Sequence, residues 1–481
     1  MEIRREIEPS MFIAGEWVAP KTPGSVAVIN PANGEVVSEI GYGGASDARQ
    51  AVEAADEAFS RWSKTTARER ADILNRVAQL LRERQDSIGR ILAVESGKRL
   101  AEAVGEVRFA AEYFQWFAEE ARRPNGAWYP EEGQNRRHWS RTQPAGVALC
   151  LTPWNFPVSI QARKLAPALA AGCTVVARAS QKAPLSVIEL FRCLDDAGIP
   201  AGVANLVQGP AAQTTEEMMR HPAVRVVSFT GSTAVGQALV RQSAHGLQRL
   251  ALELGGNAPF IVFDDADLDK AADAAMIGKF RNNGQSCIAA NRLYVHERVI
   301  EEFVEKFSER IRTMQIGDPL LPTTGLGPVI DADARDGLLR MIDQAVLAGA
   351  HPLIPSMAVP DAGYYMPPML LANVSSGTAF ACDELFGPCA PVFSFRDEEE
   401  VIEMANDTNM GLAAYAFTSD AARATRVTES LDYGIVGLNH ALPSVAFAPM
   451  GGFKMSGIGR EGARVGMEEF LETKYVSSEI G

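Results

Sequence analysis

The sequence predicts an α/β protein built around a parallel sheet covered by helices. Short apolar runs at 147–151, 174–177, 203–207 and 226–229 alternate with helical patterns at 161–171, at 184–197 and up to about Ser243. Strands that are apolar throughout, with crossover helices between them, belong to a sheet buried on both faces. At 481 residues, 47% hydrophobic and 22% charged, the chain has room for two or three domains with ample core.

Residues 11–18, MFIAGEWV, read as an early strand or hairpin around Gly15, and 31–34 as a turn. Ser46 and Asp47 read as caps of a helix over 48–64 whose Val52, Ala55 and Phe59 share a face. Amphipathic patterns continue to about Glu120 and read as scaffold carrying little chemistry. From Arg122 to Arg141 the pattern breaks at Pro124, Gly126, Pro130 and Gly133, either as a domain crossing or as an exposed hairpin used in oligomer contacts. The strand at 147–151 ends in TPWNFP, which presents Asn155 between two prolines, as an oxyanion donor or as a turn-forming residue. The strand at 226–229 runs into TGSTAVG, a turn whose backbone N–H groups at a helix start suit a pyrophosphate. A formal GxGxxG at Gly457, Gly459 and Gly462 leaves no room for a βαβ unit and reads as a glycine-rich surface turn. Residues 474–480 read as an edge strand added to another subunit or domain.

A net charge of −14 argues against a broad nucleic-acid surface, which needs clustered Lys and Arg. Residues 1–10 are charged and lack the apolar stretch of a secretory signal. No run reaches the roughly 20 apolar residues of a membrane helix. The six cysteines form no CxxC pair and the six histidines no HxxxH. The expectation is therefore a cytoplasmic protein with reduced thiols, no metal, and neither nucleic acid nor membrane as partner.

Cys287 stands in KFRNNGQSCIAANRLYVH among small and amide-bearing residues rather than large apolar ones. It reads as a loop or short-helix residue leading into a strand at 292–296, either a nucleophile or a core thiol. The neighbouring amides of Asn282, Asn283 and Gln285 read as donors to developing negative charge. Glu253, inside the apolar run LALELGGN, needs a partner or a task, and burial would make it a usable base near neutral pH. Glu384, in DELFGP, is a second acidic candidate.

TPWNFP, FTGSTAVG, LELGG and FRNNGQSC stand in one order, and DELFGP follows them. Together they resemble the aldehyde dehydrogenase superfamily over essentially the whole chain. The resemblance implies a Rossmann-like NAD(P)-binding domain at 1–125 and 145–255, an α/β catalytic domain at 256–455, and a small β oligomerisation arm at 126–144 and 456–481. It implies Cys287 as the nucleophile, with the Asn155 amide and the Cys287 N–H holding the oxyanion. A thioester then forms by hydride transfer to the nicotinamide, and Glu253 activates the water that releases the acid. Glu384 and Phe386 match ribose and nicotinamide contacts, and Trp154, Gly231 and Ser232 positions near the adenosine and pyrophosphate. Within the superfamily the wording is most like succinate-semialdehyde dehydrogenases, whose grip on a distal carboxylate is matched by Arg163, Arg281 and Ser444. A homodimer or homotetramer is implied as well.

Two departures carry weight. Where relatives have Lys-Pro-x-Glu, this chain has Arg178-Ala-Ser-Gln181 followed by Lys182. A neutral Gln181 between cations predicts that NADP is tolerated or preferred alongside NAD. Ala289 replaces a second cysteine found in several relatives, so no disulfide forms between those positions. The competing expectations are a dehydrogenase for glutarate or 2-oxoglutarate semialdehyde, a broad-range aldehyde enzyme, a non-catalytic family member, and a cofactor-free cysteine hydrolase. The last lacks a histidine base in any motif.

Overall fold

The computed structural model describes residues 6–7, 10–21, 24–123, 126–131 and 135–480. Residues 1–5 of the charged leading segment, and Pro124 and Gly133 of the helix-breaking stretch, lie outside them.

Two open sheets carry the molecule. The first has eight strands, in the order Gly457–Ile458, Arg249–Glu253, Val224–Thr230, Val147–Leu151, Thr174–Arg178, Ala204–Val207, Met11–Ile13 and Glu16–Val18. Its five central strands are parallel and its flanking pieces antiparallel. Chain order runs one way from Val147–Leu151 through Ala204–Val207, then returns to place Val224–Thr230 on the other side of Val147–Leu151. The carboxyl ends of these two strands therefore flank a topological switch point, where open α/β sheets bind ligands. TPWNFP and TGSTAVG, the loops that leave these strands, meet there.

The second sheet has seven strands, all parallel except His351–Pro352, with Ala258–Val262 between Ala290–His296 and Ala413–Phe417. Every residue of Ala290–His296 is buried, as its β-branched and aromatic text predicts.

The helix Pro157–Ala171 packs between the first sheet and Leu100–Glu120, and all of its residues are buried. It starts four residues before the sequence pattern suggests, because Pro157 suits the first helical position. Ser46 and Asp47 do not cap from outside: the helix is Ala45–Trp62 with Gly44 at its N-cap. Asp47 instead reaches back from the first turn to accept from Gly44 N at 3.0 Å and Lys21 N at 3.1 Å.

A three-stranded antiparallel sheet projects as an arm, with Leu471–Glu479 pairing over nine residues with Arg136–Pro144, and Gly126–Tyr129 beyond it. The strand expected at 474–480 is thus longer and adds to a strand of its own chain. The glycine-rich segment is not simply a surface turn. Gly457–Ile458 is an edge strand of the first sheet beside Arg249–Glu253, and Glu461 is buried.

Candidate active site

The Cys287 loop is shaped by an unusual backbone. Asn282, Asn283 and Gly284 have φ of 53°, 58° and 79°, three consecutive left-handed residues. Asparagine and glycine tolerate this conformation best. The amides here do not point at a reaction centre, contrary to the reading from sequence. Asn283 Nδ2 donates to Gly97 O at 2.9 Å and Pro328 O at 2.8 Å, and its Oδ1 accepts from Gly327 N at 2.8 Å. Gln285 Oε1 accepts from Ile330 N at 2.8 Å, and Asn282 Nδ2 donates to Gln285 O at 2.9 Å. They hold a strained turn in place, and the turn presents Cys287.

Two glycines let other motifs close on this loop. A Cβ on Gly256 would stand 2.3 Å from Cys287 O, and one on Gly284 would stand 2.1 Å from Gly387 O. LELGG and DELFGP thus pack directly against the cysteine segment, which accounts for glycine at both positions.

Asn155, Trp154, Gly231, Ser232, Cys287, Glu384 and Phe386 converge on one cavity of about 250 Å³, with Pro153, Thr230, Leu254 and Gly255. Asn155 Nδ2 donates to Gln285 O at 3.3 Å, and its buried Oδ1 has no partner. Trp154 and Phe386 meet edge to face at 5.5 Å and form an apolar wall. Ser232 caps the helix Thr233–Ser243, its Oγ accepting from Val235 N at 3.4 Å. Glu384 Oε1 accepts from Gly256 N at 3.1 Å. A helix N-terminus, an apolar slot and a carboxylate facing one cavity fit the phosphate, nicotinamide and ribose of a dinucleotide.

The acid–base groups are set apart by their surroundings. Burial, reinforced by Glu384, pushes the partly exposed Cys287 thiol up to about 12. Burial, with Glu461 nearby, raises the Glu253 carboxyl to about 7, against the pull of Arg163 and Lys164. Burial likewise raises Glu384 to about 7. Glu253 lines neither cavity but its charge reaches Cys287, and a thiol within the field of a carboxyl that titrates near neutrality suits nucleophilic attack followed by base-assisted hydrolysis.

A second cavity, of about 620 Å³, is lined by Arg281, Ser444, Phe280, Met276, Phe109 and Arg99 among others. Among the described residues Arg281 makes no ion pair; its guanidinium lies over the Phe156 ring, 4.9 Å from the centroid. Arg163 is placed differently. Only 4% exposed, it pairs with Glu461 at 2.5 Å and lines neither cavity. Arg178 and Gln181 also lie outside the cavities, at the end of Thr174–Arg178. There Arg178 donates to Gly209 O at 3.3 and 3.1 Å, and the Tyr42 hydroxyl donates to Gln181 Oε1 at 2.6 Å.

The reading from sequence missed Glu461, Lys164, Lys98 and Glu106. Glu461 binds both Arg163 and Lys164, and these three groups surround Glu253. Two adjacent cations in an otherwise apolar helix signalled that a buried acid faces them, but not which acid.

A model of the aldehyde dehydrogenase family matches residues 17–476. The chain is 45% identical to a glutarate-semialdehyde dehydrogenase of Pseudomonas putida, covering 97% of this chain and 96% of that one. It is 44% identical, over the same shares, to a succinate-semialdehyde dehydrogenase [NADP(+)] of Escherichia coli. The crystal structure of a succinate-semialdehyde dehydrogenase from Burkholderia pseudomallei superposes with a TM-score of 0.96 at 42% identity, covering 98% of each chain. With the motifs gathered at the switch point of a matching fold, the chain belongs to the aldehyde dehydrogenase family and oxidises an aldehyde to its carboxylic acid with a nicotinamide dinucleotide.

Proposed function

We propose that the substrate is an aldehyde with a distal carboxylate, succinate semialdehyde first and its one-methylene homologue glutarate semialdehyde second. The observation that carries this is Arg281, a cation without an acidic partner among the described residues, in the same cavity as Ser444. A guanidinium without an acidic partner in an open cavity, which Glu102 and Glu106 also line, is available to an anionic ligand. Arg163 supports the reading less directly, since Glu461 already engages one side of it.

In this reading Cys287 Sγ, once deprotonated, attacks the aldehyde carbon. The oxygen gains charge and takes hydrogen bonds from the Asn155 amide and the Cys287 N–H. Trp154, Phe386 and Glu384 would hold the nicotinamide end of a dinucleotide and Gly231 and Ser232 its phosphates, and that group would supply the hydride acceptor. The resulting Cys287 thioester is attacked by water whose proton passes to Glu253, and the acid leaves with the thiol restored. Arg178, Gln181 and Lys182, the last paired with Asp331, would border the adenosine ribose, where neutral Gln181 would tolerate a 2′-phosphate, so NADP is accepted alongside NAD.

The first sheet forms the cofactor domain and the second the catalytic domain. The arm, with Trp128 and Tyr475 exposed, is the contact of a homodimer or homotetramer in the cytoplasm. No helix among the described residues is long and apolar enough to cross a membrane.

The test is reduced-cofactor formation with succinate semialdehyde, glutarate semialdehyde and an uncharged aldehyde of matched length, each with NAD and NADP. Arg281→Met is expected to lower kcat/KM for the acid-tailed aldehydes by about tenfold or more, near 1.4 kcal/mol, and to spare the uncharged one. Equal losses on all three would remove the carboxylate site and leave the family assignment standing.

A further inference from the structure

The backbone of Asn155 is held from behind by Lys98, whose partner Glu106 also lines the cavity of Arg281 and Ser444. Lys98 is fully buried, and its Nζ donates to Asn155 O at 2.8 Å and to Glu106 Oε2. Its third direction faces the Phe156 ring, 3.9 Å from the centroid. Asn282 Nδ2, from the cysteine loop, donates to the same Asn155 carbonyl at 3.0 Å. Both lone pairs of that carbonyl are thereby used, which fixes the peptide plane and the direction in which the Asn155 side chain leaves it.

Glu106 completes the clamp. Its Oε1 accepts from Val158 N at 3.0 Å and Ser159 N at 3.2 Å, the first free amides of the helix Pro157–Ala171, since Pro157 has none. One carboxylate thus balances the lysine charge and caps the helix that follows Asn155. The residue before Lys98, Gly97, gives its carbonyl to Asn283 Nδ2. A single corner at 97–98 therefore grips both the cysteine loop and the Asn155 loop. A buried ion pair is weak evidence for stability, because desolvation offsets its attraction. Its placement behind this one carbonyl points to geometry rather than to stability.

We propose that Lys98 and Glu106 are positioning residues for the oxyanion site, acting through the Asn155 backbone to aim its amide into the cavity beside Cys287. This rests on the reading of Asn155 as the oxyanion donor, and the experiment separates the two. Glu106→Gln, which keeps an acceptor for the helix amides but removes the charge, and Lys98→Met are made alone and combined with Asn155→Ala. Four quantities are read: the pre-steady-state burst of reduced cofactor, the isotope effect with C1-deuterated aldehyde, cofactor affinity by fluorescence, and the melting temperature.

Each single variant is expected to slow the burst by about 10- to 100-fold and to expose the isotope effect, with cofactor affinity within about twofold of the parent. In the Asn155→Ala background neither should slow it further by more than about twofold, because residues acting as a unit do not add. Losses that multiply with that of Asn155→Ala, or a lowered melting temperature with an unchanged burst, would overturn the proposal and leave the Asn155 reading intact. A burst untouched by Asn155→Ala itself would overturn both. Where Lys98→Met does not fold, Glu106→Gln and Lys98→Arg carry the same comparison.

Discussion

The carboxyl of Glu253 sits among four charges, with Glu461 raising its proton affinity and Arg163, Lys164 and Arg460 lowering it, inside a site whose burial outweighs them all. In its proposed role as the base it works only when ionised, so the hydrolytic step should quicken as pH rises through about 7. Glu253→Gln should remove that rising limb and let the thioester accumulate: the burst of reduced cofactor remains while steady turnover falls by about 10²- to 10⁴-fold. A steady rate that keeps its pH dependence in Glu253→Gln would assign the base elsewhere. Cys287 and Asn155 were legible in the sequence as candidates, and the fold brings both to one cavity; Glu253 was legible as a carboxylate in an apolar run, and it is buried. Glu461 was not. It lies in a glycine-rich segment resembling a surface turn, and only the fold brings it against Arg163 and Lys164. Arg163 illustrates the same limit, since its position followed from a motif while its partner lay far away along the chain.

Among the elements, the turn at 282–284 shows what local text can and cannot say. Consecutive Asn-Asn-Gly announces left-handed backbone, but not that the Asn283 side chain closes on Gly97, Pro328 and Gly327. Those partners come from three places that only the tertiary fold assembles. Asn283→Gly keeps the permitted φ and loses the bonds, whereas Asn283→Ala loses both. The alanine variant should therefore be less stable than the glycine variant by about 1 kcal/mol in chemical denaturation. Equal stabilities would mean that the turn relaxes out of the left-handed region. The helix pattern through Glu120 was legible as scaffold from its periodicity, and as helix that reading holds. Its polar exceptions were the informative part. Glu95 accepts from Leu185 N at 2.7 Å and Ser186 N at 3.0 Å, while Glu106 does the same for Pro157–Ala171. Acids standing inside an apolar helical text marked helix ends in another part of the chain.

For the whole molecule, buried acids set a pH dependence of stability opposite to that of turnover. Burial raises Glu95, Glu253 and Glu384 each to about 7. The folded state thus holds protons that the unfolded chain releases above about 4.5, and stability falls as pH rises through 7. Below that range Glu461, lowered by Arg163 and Lys164 against its burial, takes a proton and weakens the fold in turn. Melting temperature should peak near pH 5 and decline toward pH 8; a melting temperature that rises over that interval would contradict this balance. The alternation of strands and helices was enough to predict the first parallel sheet, while the second was expected only from the resemblance. Strand order was not, because the pairing of Gly457–Ile458 with Arg249–Glu253 spans most of the second half of the chain. A two-residue strand has no periodicity to betray it.

That late pairing also orders events in time. A ribosome releases Arg163, Lys164 and Glu253 long before it makes Glu461, and chains fold from the N-terminus as they emerge. Until the segment at 457–461 arrives, Arg163, Lys164 and Glu253 lack the acid that sets their balance, and the strand carrying Glu253 has a bare edge. The nascent protein thus balances the charges around Glu253 only once the segment carrying Glu461 has emerged.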